Sequence, residues 1–185
     1  RMQRLKESGA TAAAESAVRK ALQFIKKNQN EDGSFGKEYP ASVTALAILA
    51  YLGHCETPDS VEFGNSVTRA AQYLLERSVK SDGDYIQSPG LNRNDRTVCY
   101  EHPIVAYALA EMYTMTKASG SAARIPRLES GMKKAIRGVI QGQAKNGGWG
   151  YSYNESHIDT SVVGWNFQAL KAATHTGEKI TGLEK

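Results

Sequence analysis

The sequence predicts an all-α protein, and three observations carry that prediction. Apolar residues recur at spacings of three and four through several long segments, the period of a helix with one buried face. Glycine-containing turns separate those segments. No stretch shows the strict alternation of a half-buried strand. The chain has 185 residues, 41% hydrophobic and 23% charged, which suits one domain with a core of its own.

The first element spans Ala12–Gln29, where Ala14, Ala17, Val18, Ala21, Leu22 and Ile25 form one apolar stripe. It stops at the turn sequence NEDGSFG. Residues 41–53, ASVTALAILAYLG, are small or apolar on every side, which marks a buried helix. The pattern then returns. Asn65–Val79 is amphipathic with its basic residues outside, and it stops at KSDGDY. Residues 102–115, HPIVAYALAEMYTM, form a second buried helix, with Pro103 placed in the first turn, where a missing N–H is tolerated. Arg127–Gln143 is amphipathic again, carries Lys133, Lys134 and Arg137, and stops at AKNGGWGYS. Asp159 or Thr160 then caps SVVGWNFQALKAA.

The unit is therefore an outer helix, a Gly-aromatic turn and a buried helix, three times over. Lys20 and Arg69 lie 49 residues apart, Arg69 and Lys134 lie 65 apart, and an insertion at residues 86–99 accounts for the longer interval. After Gly177 the text EKITGLEK reads as the start of a fourth outer helix, so the expectation is a fragment of a larger protein or a domain boundary inside a repeat array.

The net charge of +4 comes from interspersed acids and bases. The nearest thing to a basic stripe, Arg93-Asn94-Asp95-Arg96, contains its own acid, so the balance does not point to nucleic acid. The longest apolar run, Ala45–Leu52, falls far short of the roughly 20 residues that cross a bilayer. Two cysteines, Cys55 and Cys99, are too few for a disulfide scaffold.

Written by position, the first turn reads Lys20-Ala21, Phe24-Ile25, Gln29, Gly33 and Phe35. The third reads Lys134-Ala135, Gly138-Val139, Gln143, Gly147 and Trp149. The second reads Arg69-Ala70, Tyr73-Leu74, Ser78, Gly83 and Tyr85, with Ser78 in place of the glutamine. This pattern resembles the QW repeat of the terpenoid cyclase and protein prenyltransferase superfamily, such as the squalene–hopene cyclases. The resemblance implies an α/α toroid, in which inner and outer helices alternate around a cavity. Three hairpins make only an arc of such a ring, so self-association, or pairing with the rest of the toroid, is expected. The clamp has a physical basis. A glutamine amide, with donors and an acceptor, closes the outer helix, and glycine permits positive φ and close approach. The aromatic can lie over that amide and the start of the inner helix, whose first N–H groups lack partners.

None of the superfamily's chemistry transfers onto these residues. The cyclases protonate their substrate with Asp-x-Asp-Asp, and the nearest text here is Ser81-Asp82-Gly83-Asp84. The prenyltransferase zinc set needs an Asp two before its Cys, where Thr97 stands before Cys99. No Cys-Gly-Glu-Gln thioester is present. Zinc on His54, Cys55, Cys99 and His102 is disfavoured, because the two pairs fall at opposite ends of neighbouring inner helices. No metal or cofactor is expected.

One polar set remains. Glu101, His102 and Asp159, with Tyr39, Tyr100 and His157 near them, fall at inner-helix N-termini. Capping is the plain reading. Ligand contact by Glu101, His102, Asp159, Tyr100 and Trp165 is the sharper one, and general acid–base work the sharpest. The resulting expectation is a non-catalytic binding or interaction module whose apolar inner surface suits an isoprenoid or other apolar ligand. The alternatives are part of a cyclase-like or prenyltransferase-like enzyme whose acid lies elsewhere, or a polysaccharide-active toroid.

Overall fold

The computed structural model describes residues 7, 9, 11–80, 85–91, 96–152 and 155–183, except for the side chains of 78–80. Gly83 of the second turn, the Ser78 side chain, and Asp82, Asp84 and Arg93–Asp95 lie outside them. Among the described residues there are six α-helices and no strand: α1 (Ala12–Lys27), α2 (Pro40–Gly53), α3 (Gly64–Lys80), α4 (Val98–Ser119), α5 (Leu128–Gln141) and α6 (Thr160–His175). A single 3₁₀ turn, Ala122–Arg124, precedes α5. The fold is all-α.

The helices form two layers. In one, α4 packs against both α2 and α6. In the other, α3 packs against α5. The layers meet where α2 lies on α3, α4 on α5, and α5 on α6. The difference in composition explains the layering. Along α2 and α4 the apolar residues face every direction, so these helices belong between neighbours. Along α1, α3 and α5 they fall on one stripe, so these helices stay outside.

Two boundaries differ from the sequence reading. Helix α4 begins at Val98, so Pro103 sits inside it, in the second turn. The packing of α4 against α2, α5 and α6 outweighs the one backbone bond that proline forfeits. Residues 178–183 are not helical. Glu178 of this tail accepts from Lys117 Nζ (2.7 Å), Lys133 Nζ (2.8 Å) and Tyr113 Oη (2.8 Å), and Ile180 is buried, which holds the segment against α4 and α5. Its contacts are worth more than a last isolated helical turn, which is marginal by itself.

The first and third Gly-aromatic turns share their glutamine and backbone bonds. Gln29 Nε2 donates to the Gly33 carbonyl at 2.9 Å, and Gln143 Nε2 to the Gly147 carbonyl at 2.7 Å. Asn30 N donates to Ser34 O, as Ala144 N does to Gly148 O. Gly33 N donates to Asn30 O, as Gly147 N does to Ala144 O. Gly33 and Gly147 both take φ +89°, which L side chains rarely adopt. Phe35 and Trp149 are both buried.

The clamps then tie outer to inner helix by different means. The Phe35 N–H donates to Thr44 Oγ1 within α2 at 2.8 Å. Trp149 donates its indole N–H to the Val139 carbonyl of α5 at 2.9 Å, and its own carbonyl accepts from Asp159 N, the cap of α6. Tyr85 of the second turn is buried too, edge-on to the His102 ring with centroids 5.3 Å apart.

Candidate functional site

Glu101, His102 and Asp159 enter three separate hydrogen-bond networks, and the position of each follows from its helix. Glu101 lies in the first turn of α4 and is buried. Its Oε2 accepts from Ser88 N at 2.7 Å. Its Oε1 accepts from Ser88 Oγ at 2.6 Å and from Ser42 Oγ at 3.2 Å. Ser88 Oγ in turn accepts from Ala41 N at 3.0 Å. A buried carboxylate costs several kcal/mol unless it is hydrogen-bonded. Here hydroxyls and amides meet that demand, and the result stitches the start of α2, the 85–91 loop and α4 together.

His102 is fully buried beside it and faces another way. Nδ1 accepts from Ile86 N at 2.9 Å, and Nε2 donates to the Ala135 carbonyl of α5 at 2.9 Å. That pair of bonds fixes the neutral Nε2–H tautomer. Burial pushes its pKa down to about 4, against a weaker upward pull from the Ala135 carbonyl.

Asp159 is the N-cap of α6. Its Oδ1 accepts from Ser161 N (2.9 Å), Val162 N (3.1 Å) and the Ser161 hydroxyl, and its Oδ2 from Tyr151 Oη (2.7 Å). The Ser161 hydroxyl, followed by Tyr151, holds the carboxyl down at about 2. The same bond raises the Tyr151 phenol to about 12. Tyr100 joins this group through Ser161 Oγ at 2.9 Å, its ring 6.3 Å from that of Tyr151.

The polar residues at the inner-helix N-termini therefore act as caps and ties. The solvent-facing part of that pole is a cleft of about 360 Å³ lined by Tyr39, Pro40, Ser88, Pro89 and Leu91, with Lys37 and Glu38 at its rim. Tyr39 takes φ +50° there, directly before Pro40 opens α2. Among the described residues no group of three or more His, Cys, Asp or Glu side chains is placed to hold a metal ion. His54 faces Glu15 (3.0 Å) and Glu56 (2.8 Å) through its two ring nitrogens, tying α1 to the end of α2. Cys55 and Cys99 are free thiols, and burial raises Cys99 to about 11.

Trp165 follows Ser161 by one turn of α6 and enters none of these hydrogen-bond networks among the described residues. It is half-buried in α6, at the position equivalent to Tyr107 in α4 and Leu46 in α2. Tyr107 is half-buried as well, and Leu46 is exposed. The inner layer thus presents a row of three large apolar side chains, one per hairpin, each partly open to solvent.

Sequence reasoning missed two features. One is the Glu178 cluster, whose carboxyl is held at about 2, first by Lys117 and then by Lys133 and Tyr113. It borders a cleft of about 490 Å³ lined by Tyr113, Ile125, Arg127, Glu129 and Lys133. The other is Asn166, fully buried in α6, whose Nδ2 donates to Val162 O while its Oδ1 has no hydrogen-bond partner among the described residues. No local sequence signal marks either one, because each depends on which helix lies alongside.

No family model, curated protein or solved structure matches this chain. Among the described residues no helix is long and apolar enough to cross a membrane.

Proposed function

We propose that the chain is an incomplete α/α toroid of the squalene cyclase and prenyltransferase repeat type, serving as a non-catalytic binding module for an isoprenoid or similar apolar ligand. The observation that carries the toroid reading is the repetition of one glutamine and backbone hydrogen-bond pattern at residues 29–35 and 143–149. A non-catalytic role is supported by the polar pole, where Glu101, His102 and Asp159 are engaged in holding loops and helix starts. The ligand class is supported by the row Leu46, Tyr107 and Trp165, which offers apolar and aromatic surface without a charge among the three.

Thermal melting with a panel of isoprenoid alcohols and a panel of oligosaccharides tests this reading. An isoprenoid raises the melting temperature, Trp165→Ala and Tyr107→Ala weaken that rise, and no added compound is converted. Turnover of any panel member, or no shift with any apolar ligand, overturns it.

A further inference from the structure

The two ends of the helical array are the exposed halves of an interface that the molecule already uses twice internally. Aligning the inner helices places Ala41, Ala45, Ile48 and Leu52 of α2 at the positions of His102, Ala106, Leu109 and Tyr113 of α4. Both sets are buried, on helices that each have a following inner helix against them. The same stripe on α6 is Thr160, Gly164, Phe167 and Lys171, and all four are exposed, with Phe167 at 60%.

The opposite end shows the complementary pattern. Val67, Ala70, Tyr73 and Leu74 of α3 are buried, as are Met132, Ala135 and Val139 at the matching positions of α5. Their counterparts on α1 are open: Val18 is 44% exposed, Phe24 is 68% exposed, Ala21 is exposed and Ile25 is half-buried. Between α1 and α2 runs an apolar groove of about 360 Å³, lined by Phe24, Ile25, Phe35, Val43, Leu46 and Ala47.

The Gly-aromatic turns repeat the contrast. A Cβ on Gly33 would stand 2.6 Å from the Arg69 carbonyl of α3, so the next outer helix lies directly on the first turn. Arg69 also donates to the Asn30 and Glu31 carbonyls of that turn, at 2.9 and 2.6 Å. Among the described residues a Cβ on Gly147 meets nothing within 4 Å. The helix with a basic–small pair at Arg69's position and an uncovered face is α1, through Lys20 and Ala21.

We propose that a second copy of this chain docks head to tail, seating Phe167 of one copy in the Phe24–Leu46 groove of the next and laying α1 of the second copy over the Gly147 turn of the first. The contact is heterologous: it uses two different patches, so each copy keeps one of each kind to offer onward. The α1–α2 groove is the apolar half of this contact and Phe167 is the single large ring offered to it, and the interface continues the packing between successive hairpins within the chain. The inference stands on hairpin equivalence and shares only Leu46 with the proposed ligand surface, so sedimentation without added isoprenoid reads association alone and its failure leaves the ligand reading to the melting experiment.

Sedimentation of the whole chain over a concentration series tests it. The wild type associates as concentration rises. Phe24→Glu and Phe167→Glu each weaken association by about tenfold or more, with helix content unchanged because both rings are exposed. An equimolar mixture of the two variants forms a two-chain species and nothing larger, since one intact groove and one intact Phe167 remain. Val18→Glu and Gly164→Glu, placed on the same two faces, repeat the experiment where either first variant lacks wild-type helicity. A wild type that stays monomeric throughout overturns the proposal. So do single variants that still dimerise fully, or a mixture that stays monomeric.

Discussion

The turn at residues 29–35 and the turn at 143–149 make the same local bonds in different surroundings. Each has its glutamine on the glycine carbonyl, its glycine at φ +89° and its aromatic side chain buried. Yet α3 covers the first, through Arg69 and through Ser66 O accepting from Gln29 Nε2 at 2.9 Å, while among the described residues a Cβ at Gly147 meets nothing within 4 Å. The turn is thus written locally by the glutamine–glycine–aromatic spacing, and its burial is supplied by the neighbouring hairpin.

The comparison breaks most visibly at the aromatics. Trp149→Ala and Phe35→Ala each lower stability by about 3–5 kcal/mol in denaturant titration, because each removes a buried ring from its clamp. Near-equal losses support the equivalence of the two turns. A negligible loss at either one breaks it.

His102, against the second turn's Tyr85, gives the next largest effect, and it appears in pH. Its folded pKa of about 4 lies below the unfolded value near 6.5, so the unfolded chain binds the extra proton between them. The stability involved is fully present above pH 6.5 and falls by roughly 3 kcal/mol as pH drops to 4. His102→Gln flattens that part of the stability profile. A variant profile as steep as the wild type between those limits contradicts the assignment.

The helices were legible because their periodicity is local. The stripe through Ala14, Val18, Ala21 and Ile25, and the all-round apolar text of residues 41–53, each fix an element without tertiary information. The start of α4 at Val98 was not legible, because Pro103 resembles a first-turn proline and only packing decides otherwise. The tail at 178–183 was misread as helical because its partners, Tyr113, Lys117 and Lys133, lie far away in sequence.

At the candidate site the capping role of Asp159 could be read from its place before SVV. The tie from Glu101 through Ser88 to Ser42 could not, since it joins three segments. His102 did carry a usable signal. It falls on the same stripe as Ala106, Leu109 and Tyr113, which marks a core histidine more than a catalytic one.

The most direct test of the central claim, that the two glycines sit in the same local turn under different cover, is a matched pair of unfolding free energies. Gly33→Ala and Gly147→Ala both place a side chain at φ +89°, which costs about 1–2 kcal/mol in either turn. At Gly33 the new methyl also meets the Arg69 carbonyl, so the account predicts a further loss of about 1–3 kcal/mol there. Equal losses at the two positions, or a larger one at Gly147, would contradict it.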